Sequence, residues 1–194
     1  MTVMILGLLI FLGVHSIRIV ANDWRSAQIQ RMGELPWKGL YSLASVIGLA
    51  IAIWGYGQTR LDPTFIWFPP MGMRHAVALF MVPAFILLVA AYVPGNHIRA
   101  KLGHPMLLAV KLWAFSHLLA NGRLGDIVFF GAFLVWAVLA FRAARMRDRR
   151  SPAAPAPTGA INTVAAVVIG LIAYYLFAVY LHVWLIGVPA MAIG

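Results

Sequence analysis

The chain has no cysteine, and only 5 of its 194 residues are aspartate or glutamate. The first absence removes disulfide frameworks, thiolate metal sites and thiol nucleophiles together. The second leaves few carboxylates for paired acid–base chemistry or for a hard-cation site. Charge of either sign is scarce, at 10% of residues against about 25% in soluble domains. The short metal signature HExxH is also missing, so a metal or haem would have to draw on histidines from separate segments.

What the chain has instead is apolar surface. Hydrophobic residues make up 63% of it, and the mean hydropathy is +0.89. The length accommodates about six membrane spans of about 20 residues with short loops. Apolar runs place those spans near residues 2–21, 38–58, 75–93, 104–122, 126–144 and 161–187. The expected fold is therefore all-α: one integral membrane bundle of about six transmembrane helices. The first run lacks a basic leader and a small-residue cleavage site, so it reads as a retained helix rather than a signal peptide. Residues 22–36 read as a polar connection and the Pro/Ala-rich stretch 151–159 as a linker. Pro83 falls inside the third span, where neighbouring helices can satisfy the freed carbonyl. Pro105 suits the first position of the fourth.

The net charge of +10 would suggest nucleic acid in a soluble protein. Here no basic face carries interleaved stacking aromatics, which argues against a nucleic-acid partner. The cations lie between apolar runs, where they orient helices and meet anionic headgroups. Arg18, Arg25, Arg31, Lys38, Arg99, Lys101, Arg142, Arg145, Arg147, Arg149 and Arg150 flank the odd-numbered loops. Only Arg60, Arg74 and Arg123 flank the even ones. The positive-inside rule predicts cytoplasmic odd loops, both termini periplasmic, and a bacterial inner-membrane location with the lipid bilayer as first partner. Trp54, Tyr56, Trp67, Tyr180 and Trp184 then form the outer aromatic belt.

Ionisable side chains inside spans raise a functional question by default. Of the six histidines, His97 reads as a solvated turn residue. His15, His75, His104, His117 and His182 remain as candidate ligands, each with an interhelical hydrogen bond as the alternative. His117 stands out, because Trp113 and Asn121 share its helical face and suit a pocket wall. Lys111 and Arg18 either pair with a buried anion or snorkel to the interface. Asp126 suits the start of the fifth span, at the positive end of the helix dipole.

Two stretches resemble a known family. One is Val14-His15-Ser16 followed by Arg18. The other is Gly103-His104-Pro105, leading to Trp113-x-x-x-His117 and then Leu118 to Gly125. Together they are similar to the NnrU family of bacterial membrane proteins, related to the zeta-carotene isomerases of plants and cyanobacteria. The resemblance implies haem b between the helices, with His15 and His117 as axial ligands and Arg18 or Lys111 against a propionate. It also implies a link to nitrite and nitric oxide reduction, with a lipophilic molecule or denitrification reductases as partners. In the isomerase branch a cysteine lies three residues before the second ligand; this chain has Ala114 there. The Gly-His-Pro turn is also similar to isoprenylcysteine methyltransferases, but the last span lacks the acidic residue of their donor site.

Helical rise places His15 and His117 on opposite sides of the bilayer midplane, about 10–12 Å apart along the normal. One iron takes both only if the haem lies nearly flat in the membrane. An upright haem pairs His117 with a histidine of similar depth, His75 or His182.

Overall fold

The computed structural model describes residues 1–151 and 157–190, and residues 152–156 of the expected linker lie outside that range. The apolar runs form α1 (Thr2–Val20), α3 (Glu34–Thr59), α4 (Met73–Ala90), α6 (Pro105–Ala120), α7 (Leu124–Arg150) and α8 (Ala160–Ile186). Between them lie two shorter helices, α2 (Asn22–Met32) and α5 (His97–Leu102). The protein is an all-helical membrane bundle of about six spans. Five of the six long helices have the length and hydropathy to cross a bilayer, and α6 is shorter, at 16 residues. Those 16 residues reach about 24 Å, so α6 needs its flanking turns to match a hydrocarbon core of about 30 Å.

Two expectations are refined. Within the polar connection 22–36, Asn22–Met32 is helical and buries none of its residues. The fifth span, expected to end near residue 144, continues through the arginines to Arg150 as α7. In both places polar composition hid the helix, because a helix at the membrane rim needs no apolar stripe against a core.

Packing runs in the order α3, α1, α7, α6, α4, α8, with α7 in the middle. The α1–α3 pair is the closest, and glycine is the reason. A Cβ on Gly7 would overlap the backbone of Ala52, and one on Gly55 the backbone of Met4. Gly48, Ala52 and Gly55 thus make a small-residue face of the kind that draws membrane helices together without a hydrophobic driving force. The core lies where α1, α3, α6 and α7 meet, around Met4, Leu8, Ala52, Ala114, Phe129 and Phe133.

The row of helices curls back on itself at one end. A π-helical turn, Phe177–Leu181, interrupts α8, and beyond it the Ile186 carbonyl accepts from Arg60 Nη1 at 2.7 Å, just past the end of α3. Met1 lies at this same end, since Met4 packs against Gly55. The other end carries most of the arginines and is called the basic end below.

Candidate functional site

The central helix presents one aromatic face. Phe129, Phe130 and Phe133 are buried on α7, with Trp136 a turn further along. The spacing of three and four residues keeps them in one line. His117 sits at one end of this ridge and His15 at the other.

His117 enters through α6, whose start is fixed by Pro105 at the first turn. Its ring lies 4.8 Å from the Phe130 ring at 27°, and Trp113 lies 5.6 Å away, centroid to centroid. His117 Nδ1 is 2.8 Å from the Trp113 carbonyl. A carbonyl only accepts, so Nδ1 carries the proton and Nε2 keeps its lone pair. Asn121 caps the helix by donating to the His117 carbonyl at 2.8 Å. Trp113, His117 and Asn121 therefore form one assembly.

His15 is arranged the same way. Its Nδ1 donates to the Phe11 carbonyl at 2.7 Å, again leaving Nε2 with the lone pair. Phe11, Tyr41 and Trp136 surround it at centroid distances of 4.2, 5.1 and 5.8 Å. The Trp136 Nε1 is buried with no hydrogen-bond partner among the described residues, an uncommon state for a buried donor. On α7, Phe130 beside His117 and Trp136 beside His15 are six residues apart, about 9 Å along the axis. Phe133 fills the interval, touching Phe11 at 5.7 Å and Trp113 at 5.3 Å. The two histidines share a face but do not converge on one point.

The remaining candidates lie elsewhere. His75 is exposed in the first turn of α4. His104 is the N-cap of α6, and its Nε2 is 2.9 Å from Asp148 on α7. His97 faces the Thr163 hydroxyl at 2.9 Å. His182 Nδ1 donates to the Val188 carbonyl at 2.8 Å, and this residue lies within electrostatic reach of His117. Arg18 is exposed, and its carbonyl accepts from Arg147 at 3.2 Å. Lys111 lies on the other side of α6 from His117, with its ammonium 3.8 Å from the centre of the Phe141 ring. Ala114 is fully buried. Among the described residues, no cluster of three or more histidines or carboxylates could hold a metal ion.

A polar assembly that sequence reasoning missed sits beyond His117, away from the basic end. Asp126 is 1% exposed at the third position of α7. It accepts from the Tyr56 hydroxyl at 2.6 Å and from Arg123 Nε and Nη2 at 2.7 and 3.0 Å. The bond to Asp126 raises the Arg123 guanidinium's pKa above its ordinary value. Next to it the connection after α3 pairs with the turn before α7. Leu124 donates to the Thr64 carbonyl, and Ile66 to that of Gly122, both at 2.8 Å. A side chain at Gly122 would collide with the Trp67 carbonyl. The Asn121-Gly122-Arg123-Leu124-Gly125 stretch is thus a structural corner. The available signal was Asp126 itself, one of so few acidic residues and adjacent to an arginine three positions before it.

No curated protein and no solved structure matches the chain. Among known families, that described as NnrU protein matches residues 3–190, nearly the whole length. A match over nearly the whole chain shows that the chain belongs to the NnrU family.

Proposed function

We propose that the protein binds haem b along the aromatic face of α7, with His15 and His117 as the residues that hold the iron. One observation carries this reading. Both histidines tie Nδ1 to the carbonyl four residues earlier in their own helix, which leaves Nε2 free as a ligand and fixes the ring, the usual partner arrangement of a metal-bound imidazole. The apolar, aromatic ridge of Phe130, Phe133 and Trp136 suits a porphyrin. The unpartnered Trp136 Nε1 gives a buried donor near His15 for a polar edge. Both ligands on one iron would need Phe133 to leave the interval it fills. A bound haem would supply redox and small-ligand chemistry, and the protein's part would be to hold it in an apolar, water-poor setting.

This reading places the chain in a bacterial inner membrane, with the basic end in the cytoplasm. It links the protein to nitrite or nitric oxide reduction, or to redox-dependent chemistry on a lipophilic molecule. The cis-carotenoid isomerase version is disfavoured by Ala114, a buried methyl where that branch has a thiol. The tight packing of Phe11, Phe133 and Trp113 between the histidines favours a second reading, an accessory protein without a cofactor.

The test is an absorption spectrum of the detergent-purified protein, oxidised and dithionite-reduced, beside His15→Ala and His117→Ala. Sharp b-type bands lost in both variants are the expected result. Bands lost only in His117→Ala would move the second ligand to His182 or His75. A protein that stays colourless after expression with added haem would leave the accessory reading.

A further inference from the structure

The face of α6 opposite His117 holds a second site. Leu108, Leu112 and Phe115 of α6, Leu87 of α4 and Leu134 of α7 line an open apolar groove of about 410 Å³, with Lys111 in its wall. A lysine this deep in a span is costly unless its charge finds a partner. Among the described residues Lys111 has no hydrogen bond and no carboxylate. Its ammonium bends toward the basic end and rests on the Phe141 face at 3.8 Å. The His104 ring stands edge-on to the same phenyl at 6.2 Å. Beyond it, His104 and Arg145 share the single Asp148 carboxylate at 2.9 and 3.7 Å. Beyond the groove, past Phe141, the Arg145 guanidinium and the His104 ring therefore lie around one carboxylate.

We propose that this groove is a specific site for an anionic phospholipid, one acyl chain along Leu108, Leu112, Phe115 and Leu134 and its phosphate against Lys111. Bulk lipid of any kind would cover the leucines. Only an anionic headgroup also neutralises an ammonium held at the groove's end, so Lys111 is the discriminating residue. The site takes Lys111 away from the propionate role the resemblance implied, since it lines the groove and rests on Phe141. It uses none of His15, His117, Phe130, Phe133 or Trp136, so its fate is independent of the haem reading.

The test is native mass spectrometry of the full chain released from mild detergent, titrated with phosphatidylglycerol or phosphatidylcholine of the same acyl chains. The expected result is one phosphatidylglycerol retained about fivefold more tightly than phosphatidylcholine, the discrimination one lysine near a headgroup provides. In Lys111→Gln the two lipids should bind within about twofold of each other, and Lys111→Arg should restore the preference. Leu112→Trp, which fills the groove and keeps the cation, should weaken both lipids. Undiminished preference in Lys111→Gln, or unchanged retention in Leu112→Trp, overturns the proposal. Displacement of phosphatidylglycerol by millimolar inorganic phosphate would also overturn it, by showing a plain anion site without an acyl-chain component.

Discussion

The two ends of the bundle use charged residues in opposite ways. At the corner before α7 there is one arginine, one aspartate and one tyrosine, and every polar atom of the carboxylate is engaged. At the basic end there are many arginines and little pairing: the Asp148 carboxylate is 44% exposed, and His104 beside it 30%. Burial makes the difference. A charge removed from water must be fully paired or it destabilises the fold, so the corner is geometrically exact in what it demands of α3 and α7. A charge at the rim keeps its hydration and constrains little. The corner therefore fixes structure, whereas the basic end interacts with the surroundings.

The largest effect that could break this contrast is at the corner. Asp126→Ala leaves Arg123 and Tyr56 without their acceptor, and removing one partner of a buried pair costs about 3–5 kcal/mol. The expected outcome is a marked fall in melting temperature in detergent, together with earlier proteolysis in the 60–70 connection, which the same corner holds. A loss no larger than that of a rim variant would mean the corner is not the closed network described. Tyr56→Phe is the sharper, smaller cut. It keeps the ring against Phe129 at 4.9 Å and removes only the hydroxyl bond to a charged group, about 1.5–3 kcal/mol. An unchanged melting curve for Tyr56→Phe would assign the work to Arg123 alone.

The same contrast governs what was legible in the sequence. Long spans follow from apolar composition, because a bilayer requires every backbone group to be satisfied within a helix. Pro105 at the start of α6 and Asp126 at the start of α7 were readable from local rules, since both act within their own turn. The helical state of Asn22–Met32 was not, because its composition carries no apolar period. Nor was the Tyr56–Asp126 bond, which joins residues 70 positions apart. The small face of Gly48, Ala52 and Gly55 was written at a regular spacing and could have been read as a close helix contact. For the histidines, sequence gave depth along each helix but no bearing around it. Their placement at the two ends of one α7 face needed the packing order, which joins α1 and α6 only through α7.

The smallest expected effect lies at the basic end and tests the other half of the comparison. A double-mutant cycle on His104→Ala and Asp148→Ala should return a coupling of about 0.2–1 kcal/mol, because both partners are substantially exposed and screened by salt. Raising ionic strength should shrink even that. A coupling comparable to the Asp126 effect would mean that this end, too, is a buried structural joint, and the distinction between the two ends would fail. A coupling near zero would mean that Asp148 contributes by moderating the cations around it. Asp148→Ala should then strengthen phosphatidylglycerol retention at Lys111 without lowering the melting temperature, since removing the carboxylate leaves Arg145 with the lipid phosphate as its nearest available anion.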